Sequence, residues 1–157
     1  MLDAPGYAAC AVLLALSLTD LRARRLPNPL VAAFGVLYAV HAWSVATPWT
    51  VLVQHIATAF AGFALGACLH AAGRLGGGDV KLASALLLWV GAHGAMPMFV
   101  LVSLAGLVVA LVGLAVDRFV PALPFARLWS ARRGVPYGVA LAIGGWCALL
   151  PRTWLPG

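Results

Sequence analysis

Acid is what this sequence has least of. Among 157 residues there are four carboxylates, Asp3, Asp20, Asp79 and Asp117, and no glutamate. Charged residues of both signs make up only 9%, against roughly 25% in an ordinary soluble domain, which excludes a normal water-facing surface. Cysteine is scarce as well. Cys10, Cys68 and Cys147 sit in apolar stretches without C-x-x-C spacing, so neither a zinc site nor a disulfide framework is indicated. His41, His55, His70 and His93 are dispersed along the chain, so no metal is assigned, with His70 nearest the basic edge described below.

What is there instead is hydrocarbon: 64% of residues are hydrophobic and the mean hydropathy is +1.01. A bilayer core takes about 20 residues per helical span, leaving room for about six helices and no soluble domain. Six apolar segments cover residues 5–19, 29–46, 51–72, 80–92, 96–116 and 137–150. They are continuously apolar rather than alternating, which predicts helices and not barrel strands. The first, fourth and sixth are short, and fit either helices extending into flanking residues or re-entrant segments. The expectation is an all-α integral membrane protein, one domain over residues 1–157.

Charge supports the six spans independently. Arg22, Arg24 and Arg25 follow the first segment, Arg74 and Lys81 flank the third connection, and Arg118, Arg127, Arg132 and Arg133 lie between the fifth and sixth. Nine of the ten basic residues thus fall on alternate connections. By the positive-inside rule these connections are cytoplasmic and both termini lie outside. The basic cluster follows the first apolar run, opposite to a secretory signal, so the first helix is expected to be retained. A net charge of +6 spread over three connections without aromatic platforms suits orientation and anionic lipid, and no nucleic-acid partner is expected.

Asp20 and Asp79 then both fall on the cytoplasmic edge. Each has an ordinary explanation. Asp79 closes Gly76-Gly77-Gly78-Asp79 and suits the N-cap of a following helix, while Asp20 pairs with Arg24 at i+4 if its helix runs on. Jointly they are the minimum equipment for aspartic-protease chemistry, in which two carboxyls share one proton. The ionised one takes a proton from water and the other donates to the developing oxyanion. The glycines permit close approach of an extended substrate and a hinge. A helix N-terminus favours ionised Asp79; if the first helix ends near Asp20, its C-terminus favours the proton there, Arg24 argues against that, and the dyad is described as a coupled pair.

Asp20 with Leu26-Pro27-Asn28, then Gly76-Gly77-Gly78-Asp79-Val80-Lys81-Leu82, then Pro136-Tyr137-Gly138-Val139-Ala140, resembles the type IV prepilin peptidases, the GxGD membrane aspartic proteases. Its three motifs occur in the family's order over nearly the whole chain. It is most similar to the short Tad/Flp-type form, a six-helix core in the bacterial inner membrane. The resemblance implies Asp20 and Asp79 as the catalytic pair, Gly76 and Gly78 as motif glycines around Gly77, and no cofactor. It implies pilin precursors as substrates, cut at the cytoplasmic face after a basic leader. Pro27, Asn28, Lys81 and Tyr137 match family positions without an assigned step. The long form's cysteine-bearing insert is missing, which implies peptidase activity without N-methylation.

Other functions fit the two acids as well: a small proton- or cation-coupled transporter, or a catalytically silent assembly factor. Packing cues are Gly62-x-x-x-Gly66 for close helix approach and Trp43, Trp49, Trp129 and Trp154 near the interfaces. Residues 117–136 suit either an amphipathic cytoplasmic element around Phe125, Leu128 and Trp129 or a plain basic loop. Asp117 reads as a helix-end partner of Arg118. No oligomeric state follows.

Overall fold

Each helix starts and stops where its residues require it. In the computed structural model, which describes residues 3–120, 126–130 and 134–149, all regular elements are helical. Pro121, Pro124, Phe125, Arg132, Arg133, Leu150, Arg152 and Trp154 lie outside the described residues. Asp3 caps α1 (Ala4–Ala23), its carboxylate accepting the Gly6 N–H at 3.0 Å, with Pro5 in the first turn where its missing N–H is harmless. The helix ends as Arg24 turns left-handed (φ 52°, ψ 40°) and its N–H closes onto the Asp20 carbonyl. α2 (Asn28–Ser44) follows Pro27. α3 (Trp49–Ala71) follows Pro48 and ends in a left-handed Gly73 (φ 71°), with the Gly73 N–H on His70 O and the Arg74 N–H on Leu69 O. That pair of bonds is a Schellman closure.

The largest departure from the sequence pattern is α4 (Gly77–Phe119), which joins the fourth and fifth apolar segments without a loop. A straight helix of its 43 residues would be about 65 Å long at ~1.5 Å per residue, about twice the ~30 Å of a hydrocarbon core. Gly91 breaks it, with φ 63° and ψ −171°. The contacts of α6 (Tyr137–Leu149) show what the break does. Before Gly91, α4 runs parallel to α6: Gly78 and Gly138 both meet Leu26 at one end, and Leu86 meets Gly145 further along. After Gly91 it runs antiparallel, since Gly144 meets Met98 and Val102 while Gly106 meets Ala140 and Tyr137. One glycine therefore reverses the chain where the sequence suggests a connection over residues 91–95.

The same reasoning orders the rest. α1 is antiparallel to α6, from the Asp20–Gly138 bond at one end to the bond from Trp146 Nε1 to Cys10 O at the other. α1 and α2 are antiparallel, because Asp3 meets His41 and Ser44. α2 runs beside the first arm of α4, with Asn28 at Lys81 and Phe34 at Trp89. These elements bury Leu13, Leu16, Phe34, Leu82, Leu86 and Met98. α3 buries only Gly66 and leans on α4, where Gly62 faces Leu87 and Gly66 faces Val80. The expected small-residue contact is thus the α3–α4 seam. Outward faces carry large apolar side chains, including Phe60 at 73% and Leu65 at 66% exposure. Among the described residues three helices, α1, α3 and α4, are long and apolar enough to cross a membrane. A one-turn α5 (Ala126–Trp129) lies against α1 and α4.

Candidate active site

At the end of the bundle where α1 stops and α4 and α6 begin, the helices leave a cavity of about 430 Å³. Asp20 and Arg24 reach it from the end of α1, Arg25, Leu26 and Asn28 from the turn into α2, Gly76 to Asp79 and Lys81 from the start of α4, and Val135 and Tyr137 from the start of α6. The sequence-predicted residues Asp20, Asn28, Gly76, Gly77, Gly78, Asp79, Lys81 and Tyr137 therefore meet at one place. Pro27 stands apart from the lining and holds the N-cap position of α2, its carbonyl accepting the Leu30 and Val31 N–H groups.

The glycines differ from the expected open loop. Gly76 is the N-cap residue of α4, and Gly77 and Gly78 are already helical, which puts Asp79 in the first turn and not at the cap. What they supply is closeness. A Cβ on Gly76 would lie 2.6 Å from Asp79 Oδ2, and one on Gly78 would lie 3.2 Å from Leu26 Cβ. Gly77 lies against the His70 ring, whose Nδ1 hydrogen-bonds Leu75 O at 2.8 Å and tightens the turn out of α3. Lys81 Nζ donates to Asn28 Oδ1 at 3.0 Å, tying the start of α4 to that of α2.

Asp20 is 6% exposed and accepts the Gly138 N–H on Oδ2 at 2.8 Å. Arg24, four residues on, has left the helix and sends Nη2 to Leu128 O at 2.9 Å, drawing α5 against the site. Both acids lie just beyond the apolar segments, in the last turn of α1 and the first of α4. Burial pushes the Asp20 carboxyl up, opposed by the Gly138 N–H, Arg24 and the Val139 N–H. Burial also raises Asp79, together with the adjoining Asp20 charge, to about 6. Gly138 brings the N-terminus of a third helix onto Asp20 and stabilises its charge, whereas burial and a like charge bear on Asp79, and the two titrate as a coupled pair.

Such a pair, one carboxyl ready to ionise and one ready to hold a proton, can accept a proton and donate another within one cavity. Among the described residues, no group of three or more His, Cys, Asp or Glu forms a metal cluster. The sequence patterns leave the part of Gly138 unassigned, although it sits in the third motif, and give no sign of Arg24 reaching α5. Asp117 does not line the cavity.

A family model described as the type IV leader peptidase family matches residues 7–111, a stretch that holds both aspartates and all three glycines. Neither the curated proteins nor the solved structures gave a match.

Proposed function

This chain belongs to the type IV leader peptidase family, and from that premise we propose that it is a two-aspartate endopeptidase cutting pilin precursors of the Flp-like class. The observation that carries this is the shared cavity of Asp20 and Asp79, residues 59 positions apart in sequence. Water held between them gives a proton to the ionised carboxylate as its oxygen bonds to the scissile carbonyl carbon. The protonated carboxyl gives its proton to the carbonyl oxygen. When the C–N bond breaks, the amine takes the proton that came from water. The diol hydroxyl returns one to the donor, and the pair is restored.

The rest of the reading follows from topology. The two arms of α4 count as separate spans, so α1, α2, α3, both arms and α6 make six, with GxGD glycines where the fourth begins. The basic connections then lie on one side, the cytoplasm, with both termini outside an inner membrane. A basic leader is not steered toward this face by charge. The precursor instead arrives laterally through its hydrophobic segment in the lipid, and peptidase activity comes without N-methylation.

Co-expression with a precursor, following the mobility shift of the leader, tests this. Wild type should cleave, and Asp20→Asn or Asp79→Asn should each lower the rate by about 10³-fold, within the range for a lost acid or base. Cleavage that survives either change removes the mechanism. A chain inert with every pilin-like precursor leaves an assembly role instead.

A further inference from the structure

The surroundings of Asp20 are not symmetrical about the cavity. From α6 comes the Gly138 N–H at 2.8 Å, with the Val139 N–H, bonded to Pro136 O, close enough to favour the charge as well. Its own helix end contributes Arg24, and Arg25 and Lys81 stand on the cavity wall. Besides that lysine, α4 presents the second carboxyl, Asp79, to it. Among the described residues no hydrogen bond reaches that second carboxyl, which lies over Gly76.

Gly138 fits this place by having no side chain. A Cβ there would stand 2.8 Å from both Asp20 Oδ2 and Leu26 Cδ2, and 2.9 Å from Asp20 Cβ. Any larger residue would push the carboxylate off the amide, or push Leu26 off the turn that also packs against Gly78. The amide belongs to the first turn of α6, where N–H groups lack intrahelical acceptors and carry the positive end of the helix dipole. An N–H···O⁻ bond of this length is in the charge-assisted range.

We infer that the first turn of α6 is a positioning element for the dyad: Gly138 pins Asp20 as the carboxylate that accepts the proton from water, which leaves Asp79 to hold and donate one. This rests on the two-aspartate mechanism proposed above and gives each acid its part. Gly138 is not among the residues lining the cavity. It acts through Asp20, by orienting Oδ2 and stabilising its charge. The third motif, which the dyad chemistry leaves idle, thereby gains a task.

The test is a site-resolved titration of the full chain in lipid nanodiscs, with aspartate carboxyls labelled with carbon-13 and signals assigned by Asp20→Asn and Asp79→Asn. The signal lost in Asp79→Asn should have the higher midpoint. Gly138→Ala and Gly138→Pro both add a Cβ, but only proline removes the N–H. The Asp20 midpoint should therefore rise further in the proline variant, by about 1–2 pH units for a lost hydrogen bond to a charge. If the higher midpoint belongs to Asp20, or the two variants move it equally, the inference fails. Should both variants misfold, the wild-type order of midpoints decides alone. Precursor cleavage by the same wild-type sample is a separate readout: correct proton order without cleavage removes the peptidase, not the α6 contact.

Discussion

Two aspartates at opposite ends of α1 begin with the same bond and end in opposite states. Asp3 accepts the Gly6 N–H of its own helix at 3.0 Å, and Asp20 accepts the Gly138 N–H of α6 at 2.8 Å. Around Asp3 the second oxygen is also engaged: His41 Nδ1 approaches Oδ2 at 2.7 Å and Ser44 Oγ donates to it at 3.0 Å. Slight burial raises that carboxyl, but the bonds from His41, Gly6 and Ser44 outweigh it and hold it below the usual range. Around Asp20 burial wins, and the carboxylate borders an open cavity. A backbone N–H does not by itself make an acid structural or reactive. What decides is whether protein fills the other lone pairs or leaves them facing space for a reactant.

The hardest test of that contrast is pH. In the proposed mechanism cleavage uses ionised Asp20 and protonated Asp79, so kcat/KM should fall as pH drops through the Asp20 midpoint and as pH rises through that of Asp79, about 6. Stability carries the same signature with a definite sign. The folded-state pKa of Asp79 is raised above the ordinary aspartate value of 3.8, so its contribution is fully present at low pH and is lost as pH rises toward about 6. Melting temperature should decline across that window in wild type and decline less in Asp79→Asn, where only Asp20 remains raised. A flat pH-rate profile, or an identical decline in both proteins, would erase the distinction between the two ends of the bundle.

Next in size is the reversal in α4. Gly91 holds a backbone conformation that is essentially restricted to glycine, and a Cβ there would stand 2.5 Å from His55 Nε2. The same His55 donates from Nδ1 to Leu88 O at 2.9 Å, fastening α3 to the turn. Gly91→Val should cost about 1–3 kcal/mol in backbone strain alone, with further loss from displacing His55. Thermal unfolding in detergent gives the value, and an unchanged melting temperature would mean that the chain reverses elsewhere.

How much of this the sequence announces depends on the scale of the feature. Four of the six apolar segments match α1, α2, α3 and α6 closely, because hydropathy and proline placement act over whole helices. The reversal at Gly91 is a single pair of dihedral angles, and no periodicity registers it. The site divides likewise. Asp20, Asp79 and the glycines stand out because acids and glycine runs are unusual at the edge of such apolar segments, and they do meet. The bond from Gly138 to Asp20 joins residues 118 apart. The helix-end argument reads only α1 and α4, and so misses the charge stabilisation that the third helix brings to Asp20.

A smaller effect is expected where the site is braced rather than built. Lys81 and Asn28 meet through one exposed hydrogen bond of 3.0 Å, so their coupling should be about 0.5–1 kcal/mol, as for a solvent-exposed hydrogen bond. Lys81→Met and Asn28→Ala should each lower kcat/KM a few-fold, and the double variant should lose little more than the worse single one. Strict additivity would show that the two residues act separately, and that α2 and α4 are aligned by the apolar contacts around Leu82 and Trp89 instead.

The gentlest change falls on Asp3. Asn caps a helix about as well as Asp, so Asp3→Asn should keep the Gly6 bond and lose only the charge opposite His41. The expected cost is about 0.5–1 kcal/mol for a partly exposed contact. Asp3→Ala removes the cap as well and should cost about 1–2 kcal/mol. Because Asp3 lies at the far end of α1 from the cavity, precursor cleavage at permissive temperature should be unchanged in both. Equal melting temperatures for the two variants would show that the contact with His41 and Ser44, not the cap, is what Asp3 contributes. A large loss of cleavage with little loss of stability would mean that the two ends of α1 are coupled, because a saturated carboxylate would then be acting on a reactive one along the length of the helix.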